Sequence, residues 1–461
     1  MRNAANQCTF PYCLSLIVIT FAFSSPRKNM AGETNWEKPT AADFCSNDTK
    51  EIEEAYQLGG AAGFARILQE HNERWKTVPL NIAVIGQSGV GKSSYINCSR
   101  NITAEDEEGA QVDIVECTEE VRSYAHPDNA LLLYWDCPGV GTPKFPRGTY
   151  LEKIGFKRYD FYLLLSSSRF TDDDQWLAAE IGKLGKRFFY VRTQSGVDVF
   201  KQRTSHPRST VGQSDDEILQ KVRKDIVTKL ELKDAEQDNI FLIDSYQPAK
   251  FDFCKLQDTL LTALPDLKRE AFLYSLSPMG MLSKKILQKK VDALRGRIWK
   301  MALASGVVGL LPIPGISTAF DIGMVIAEGR FYQQQLGLDQ QSLTSTAQTH
   351  KVDVTLLEET VALSIPGVIT KDFVFFLSKE LATETAGQAM EELLKFIPFL
   401  GSLVVAPLSY VLTRRTLLAV LDKMETAAHN VIDICVNKAH QQALEETRED
   451  CENLRNKKPA I

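Results

Sequence analysis

No CxxC pair, no zinc-ligand spacing and no even complement of cysteines occurs in this 461-residue chain. Nine cysteines are scattered from Cys8 to Cys451. A complete disulfide framework would leave one thiol over, so reduced thiols in a cytosolic protein are expected. An excess of positive charge is also missing. The 53 basic side chains are outnumbered by 59 acidic ones, for a net charge of −6, which argues against a broadly basic surface and sets nucleic acid aside as a partner. No repeat is strict enough for a solenoid. The apolar runs are either short of the ~20 residues a membrane span needs or interrupted by proline and glycine. What is present is 44% hydrophobic and 24% charged residues, the balance of a packed globular protein. The length accommodates two or three domains.

The N-terminus works against a purely cytosolic expectation. Arg2 precedes an apolar stretch from Cys8 to Phe23, then Ser24-Ser25-Pro26-Arg27-Lys28, an arrangement similar to a signal peptide. Secretion would expose the sequons Asn97-Cys98-Ser99 and Asn101-Ile102-Thr103 in or just after a helix, a poor place for a bulky sugar. Met30 offers an alternative start. Residues 8–23 are therefore an upstream extension, a membrane-directing leader or an ordinary packed segment, and 1–45 are set apart as a leader or flexible N-terminus.

A helical segment over 46–78 is expected next, with Asp48 as N-cap, Glu51 as its capping-box partner and a break near Gly59-Gly60. After Pro79 short apolar runs recur at 80–85, 130–135, 161–165, 188–191 and 240–243. Helical patterns lie between most of them, at 93–100, 172–184 and 215–232. That alternation predicts a mostly parallel, doubly wound sheet within an α/β domain over 79–266. Beyond it, 267–461 reads as an all-α domain, with helices near 283–303, 343–350, 356–363 and 417–455. Two uncharged stretches, Met301–Phe320 and Phe396–Thr413, each contain proline and glycine. They fit buried hairpins better than membrane insertion, and a true span least.

One motif carries chemistry strongly. Gly86-Gln87-Ser88-Gly89-Val90-Gly91-Lys92-Ser93 satisfies G-x-x-x-x-G-K-[ST] between an expected strand and an expected helix. Its glycines let backbone N–H groups surround phosphates, and the helix N-terminus adds positive potential. Lys92 should reach the outer phosphates, the Ser93 hydroxyl should ligate Mg²⁺, and Ser94 closes the loop. Asp136, in Trp135-Asp136-Cys137-Pro138-Gly139, ends a strand where a carboxylate holds Mg²⁺ through water, and the Gly139 N–H faces the γ-phosphate. Thr118 lies between them in sequence, placed to close over the γ-phosphate with its hydroxyl on Mg²⁺. The ligand is a purine nucleoside triphosphate, with GTP favoured.

The phosphate loop combines with Val115-Glu116-Cys117-Thr118, Tyr124-x-His126-Pro127, Trp135-Asp136-x-Pro138-Gly139-x-Gly141-Thr142, Tyr150-Leu151-Glu152-Lys153, Tyr159-Asp160-Phe161 and Ser168-Arg169-Phe170. Together they resemble the immunity-related GTPases, the interferon-inducible, dynamin-like GTPases of vertebrate cells. Lys92 places the chain with the Gly-Lys-Ser subtype. The resemblance implies a P-loop GTPase domain joined to a helical domain of N- and C-terminal segments, and GTP/GDP as ligand with Mg²⁺. It also implies self-association in the GTP state and peripheral action at intracellular membranes from the cytoplasm, in cell-autonomous defence.

Two departures qualify it. The family's Thr-Lys-x-Asp, whose aspartate selects guanine, is replaced by Thr193-Gln194-Ser195-Gly196-Val197-Asp198. Aligned without a gap, Gly196 stands where the aspartate belongs and base recognition is weakened; Asp198 substitutes only if the loop carries a two-residue insertion. Ser245 sits where a further base-contacting loop is expected. Secondly, Val140, not glutamine, follows Gly139, so nothing there orients the attacking water. Slow intrinsic hydrolysis follows, relieved by a second subunit, with Glu119 or Glu120 as candidates to assist and solvated loop charges as the plainer reading of both. The rival function is a nucleotide-gated scaffold with relaxed guanine selectivity.

Overall fold

A computed structural model of the chain describes residues 46–112, 120–167, 170–210, 212–230, 239–308, 316–367, 369–380 and 405–456. The chain divides into two compact units, one of 1–72, 297–324 and 375–416, the other of 73–296, 325–374 and 417–461.

The second unit contains a six-stranded sheet in the order β2-β3-β1-β4-β5-β6. Its strands are β1 (Leu80–Gly86), β2 (Arg122–His126), β3 (Asn129–Asp136), β4 (Phe161–Ser166), β5 (Phe188–Arg192) and β6 (Ile240–Leu242). β3, β1, β4, β5 and β6 run parallel to their neighbours, and β2 is the antiparallel edge. The side-chain period of two sorts β1 between two cores. Leu80, Ile82 and Val84 face a cluster with Tyr95, Phe253, Leu256 and Leu260, while Ala83 and Ile85 face another with Tyr150, Leu177, Ile181 and Ile226. Apolar residues thus line both faces, which is why the run at 80–85 reads as continuous rather than alternating. Each large side chain so buried contributes about 1.5–3 kcal/mol.

The five predicted strands are all present. β2 was not expected, because its first residues, Arg122 and Ser123, are polar and exposed. It is held by its pairing with β3 across the turn at Pro127-Asp128, not by apolar content. Helices of this unit include α2 (Lys92–Arg100), α3 (Arg147–Lys153), α4 (Asp172–Lys183), α5 (Ser195–Ser205), α6 (Asp215–Leu230), α7 (Phe253–Ala263) and α8 (Asp266–Ser275), following α1 (Ser46–Glu73). α5 was not among the expected helices, and its first residues, 195–198, fall in the segment expected to be the base-recognition loop. The chain leaves β1 to one side through β2 and β3, then returns to the other side through β4, β5 and β6. This places a switch point at the C-terminal end of β1, where ligands of open α/β sheets bind.

The remainder is helical: α9 (Lys284–Val308), α10 (Ile316–Gln335), α11 (Gln340–His350), α12 (Val354–Ala362) and α13 (Val405–Asn456). In the first unit α1 is interrupted at Gly60, whose φ of 57° and ψ of −145° are not helical, matching the predicted break. α1 begins at Ser46, two residues before the predicted cap. The buried Ser305 hydroxyl donates to Asp321 Oδ1 at 2.6 Å and meets the buried Thr413 hydroxyl at 2.9 Å. That polar join links the described ends of the two uncharged stretches; 309–315 and 396–404 lie outside the described residues, as does the segment 8–23. Among the described residues no helix is long and apolar enough to cross a membrane.

His126, at the end of β2, is buried and accepts the Asp128 N–H on Nδ1 at 3.2 Å. Burial, helped by the cationic Lys290 and Arg100, pushes its pKa down to about 3 from 6.5. The folded chain therefore keeps this ring neutral while the unfolded chain takes up a proton. Its contribution to stability is full above pH 6.5 and is lost as pH falls toward 3, at up to about 1.4 kcal/mol per pH unit. Urea titrations across that window should show a shallower acid decline for His126→Gln than for wild type; parallel declines would count against this assignment.

Candidate functional site

The site is assembled at the C-terminal ends of β1, β3, β4 and β5. β1 ends on Gly86, whose φ is 144°, and a Cβ there would stand 2.1 Å from the Leu165 carbonyl oxygen of β4. Only glycine allows the chain to turn out of the sheet at that point. The loop then reaches Gly91, the left-handed N-cap of α2, and Lys92 begins the helix. Gln87 is held outside the turn, its amide donating to Thr171 Oγ1 at 2.9 Å and Asp173 Oδ2 at 3.1 Å. Thr171 also closes a capping box with Asp174 at the start of α4, and Arg147 pairs with Asp173. Ser88 and Gly89 are exposed and Val90 is buried.

Lys92 is only 6% exposed, and its ammonium donates to the Gln87 carbonyl at 2.8 Å. The cation is thereby curled over the loop it should serve. The Ser93 hydroxyl donates to Asp136 Oδ2 at 2.6 Å, with Asp136 1% exposed at the last position of β3. A hydroxyl from the first turn of α2 and a carboxylate from the end of β3 thus meet, the hard-oxygen donor set that suits Mg²⁺. Among the described residues no cluster of three or more His, Cys, Asp or Glu could hold a metal ion alone. A divalent ion here would therefore lean on phosphate oxygens as well. Ser94 Oγ lies 3.5 Å from the Tyr246 hydroxyl on the opposite side.

Gly139 packs against the loop so closely that a Cβ would stand 2.7 Å from the Ser88 nitrogen. The Tyr150 hydroxyl of α3 donates to the Pro138 carbonyl at 3.0 Å and fixes this segment. Burial, reinforced by Asp136, pushes the Cys137 thiol up to about 12, so it is no nucleophile. Val140 is buried.

Thr193 ties the loops together. Its hydroxyl donates to the Val90 carbonyl at 2.6 Å, with the Ser166 carbonyl a second acceptor at 3.0 Å. The sequence placed Thr193 on the base side; here it braces the phosphate loop. Asp198 lies in the first turn of α5, where Oδ2 accepts from Arg192 Nε at 2.9 Å and from a second Arg192 nitrogen at 2.8 Å. Ser245 is half-buried beside this region and Glu120 is exposed. Thr118 and Glu119 lie outside the described residues.

Sequence reasoning passed over Tyr150, Thr171, Asp173 and Asp244. Thr171 and Asp173 hold the phosphate loop through Gln87, and Tyr150 holds the Pro138 segment beside it. Asp244 accepts the Gly196 N–H at 3.2 Å and the Tyr246 N–H at 3.0 Å. The run Thr171-Asp172-Asp173-Asp174 does signal a helix cap, but nothing in it tells that Asp173 is spare for Gln87.

Among known families, the model described as Interferon-inducible GTPase (IIGP) matches residues 45–432. The chain is 31% identical over 395 residues to Interferon-inducible GTPase 5 of Bos taurus, covering 86% of this chain and 83% of that one. It is 36% identical over 283 residues to Interferon-gamma-inducible GTPase 10 of Mus musculus, covering 61% and 66%. It is 33% identical over 279 residues to Interferon-inducible GTPase 1 of Mus musculus, covering 60% and 66%.

Thr193→Val keeps the shape and removes the donor. It should lower stability by about 1–3 kcal/mol, because the Val90 carbonyl loses its donor while the Ser166 carbonyl keeps the Thr193 N–H, and should weaken triphosphate binding in parallel. Urea midpoints and nucleotide titrations check both; an unchanged midpoint would remove Thr193 as the brace.

Proposed function

The chain belongs to the interferon-inducible GTPase family, and from that premise we propose that it hydrolyses GTP slowly by itself and faster when two copies meet across their nucleotide faces. Guanine-nucleotide binding and GTP hydrolysis come with the family. The pace, the partner and the membrane setting are what is proposed. The observation that carries the reading is the convergence of Lys92, Ser93 and Asp136 at one turn.

In this reading Lys92 exchanges the Gln87 carbonyl for phosphate oxygens, and the backbone N–H groups of Gly86–Ser94 take the remaining phosphate charge. Ser93 and Asp136, the latter through water, would hold Mg²⁺, with Thr118 as a third ligand, and the ion when bound would supply neutralisation of phosphate charge. Gly139 packs against Ser88, and in this reading its N–H is offered to the terminal phosphate. Phosphoryl transfer depends on positioning and charge stabilisation, and Val140 supplies neither to a water molecule. Help from a second copy fills that gap, with Glu119 and Glu120 as the candidates to assist. Peripheral action at intracellular membranes, in cell-autonomous defence, is part of the same proposal, with family membership as its support. The second reading, a nucleotide-gated scaffold with relaxed base choice, is favoured by Gly196 in place of an aspartate.

Turnover per chain should rise with protein concentration at saturating GTP and Mg²⁺. A constant specific activity would sink the proposed role of self-association. Lys92→Ala should weaken GTP binding by roughly 10- to 150-fold, the worth of a charge-assisted contact; undiminished affinity would sink the assignment of the site.

A further inference from the structure

The direction of a bound nucleotide follows from two contacts on either side of Lys92. Ser93 points to Asp136 on β3, and Ser94 lies against Tyr246 in the loop after β6. Metal and terminal phosphate belong to the β3 side. The sugar and base therefore extend the other way along the sheet edge, over the loops that follow β5 and β6. Those loops are joined to each other, since the Ser195 N–H donates to the Ile243 carbonyl at 3.0 Å.

A buried carboxylate stands at that junction. Asp244 is 7% exposed. Its Oδ2 lies 2.7 Å from where a Cβ on Gly196 would be, so an aspartate at 196 and the present Asp244 exclude each other. The carboxylate missing from position 196 is thus replaced, within the same space, by one delivered from β6. Each oxygen accepts one backbone N–H, from Gly196 on Oδ2 and from Tyr246 on Oδ1. A carboxylate has about four acceptor sites, which leaves one on each oxygen. Asp198 is less suited, because Arg192 already holds it within α5. Resting on the reading of this site as a GTPase centre, we propose that Asp244 is the specificity-determining residue that accepts the N1–H and 2-amino hydrogens of guanine.

The test uses the full chain, with GTP, ITP, XTP and ATP titrated in Mg²⁺ buffer. Wild type should prefer GTP over ITP, which lacks the 2-amino group, and over ATP and XTP. Asp244→Asn, whose amide donates to the xanthine O2, should lose GTP affinity by about 10- to 100-fold and gain XTP affinity. If that variant fails to fold, Asp244→Ser keeps a hydroxyl for the Gly196 N–H and should likewise lose the preference for GTP. Adding Gly196→Asp to Asp244→Ser should then restore it. Folded Asp244 variants with an unaltered GTP:XTP ratio, alongside a Lys92→Ala chain that no longer binds, would overturn the role of Asp244 and leave the GTPase reading standing. A wild-type chain that binds no triphosphate would overturn both.

Discussion

The turn out of β1 at Gly86 governs the rest of the second unit. Because the Leu165 carbonyl blocks any side chain there, glycine lets the backbone leave the sheet abruptly, and the loop that follows is braced from outside. The braces come from four separate elements: Thr193 after β5, Gln87 held by Thr171 and Asp173, Gly139 pressed on Ser88, and Lys92 on Gln87. Each fixes one point of the loop, so the turn is held in shape by the chain itself, and such pre-organisation reduces the ordering cost of binding.

The same economy of space explains the base side. Gly196 gives room for a carboxylate that arrives from β6, and the two positions answer each other across the loops after β5 and β6. Arg192 and Asp198 form a separate pair within β5 and α5. Its contribution is local: it anchors the first turn of α5 and so keeps Gly196 and Ser195 in register with the strand ends.

The parallel sheet was legible because five strands are buried on two faces and carry continuous apolar runs bounded by glycine, proline or charge. β2 was not, because an edge strand derives its order from backbone pairing, which leaves little trace in composition. The break in α1 was legible from Gly59-Gly60, since a left-handed residue at Gly60 needs glycine. α5 was missed since its first residues, Ser195-Gly196, are poor helix formers. They are held there by Arg192–Asp198, Ser195–Ile243 and Gly196–Asp244 contacts.

By themselves the residues at 86–93, Asp136 and Gly139 pointed to a phosphate site and to its place in the chain. This is because the requirements of that chemistry, room for backbone donors, one cation and one metal-facing carboxylate, are local and fall at fixed spacing. Tertiary structure alone decided that Thr193 serves the phosphate loop, that Asp198 is taken by Arg192 and that Asp244 occupies the place vacated at 196. Those contacts span 103, 6 and 48 residues of sequence. The two that span 103 and 48 residues join different strand ends, so which side chain fills which space is settled only when the sheet brings those ends together. Asp198 lies close to Arg192 in sequence, but its pairing sits in α5, a helix not expected there from the sequence.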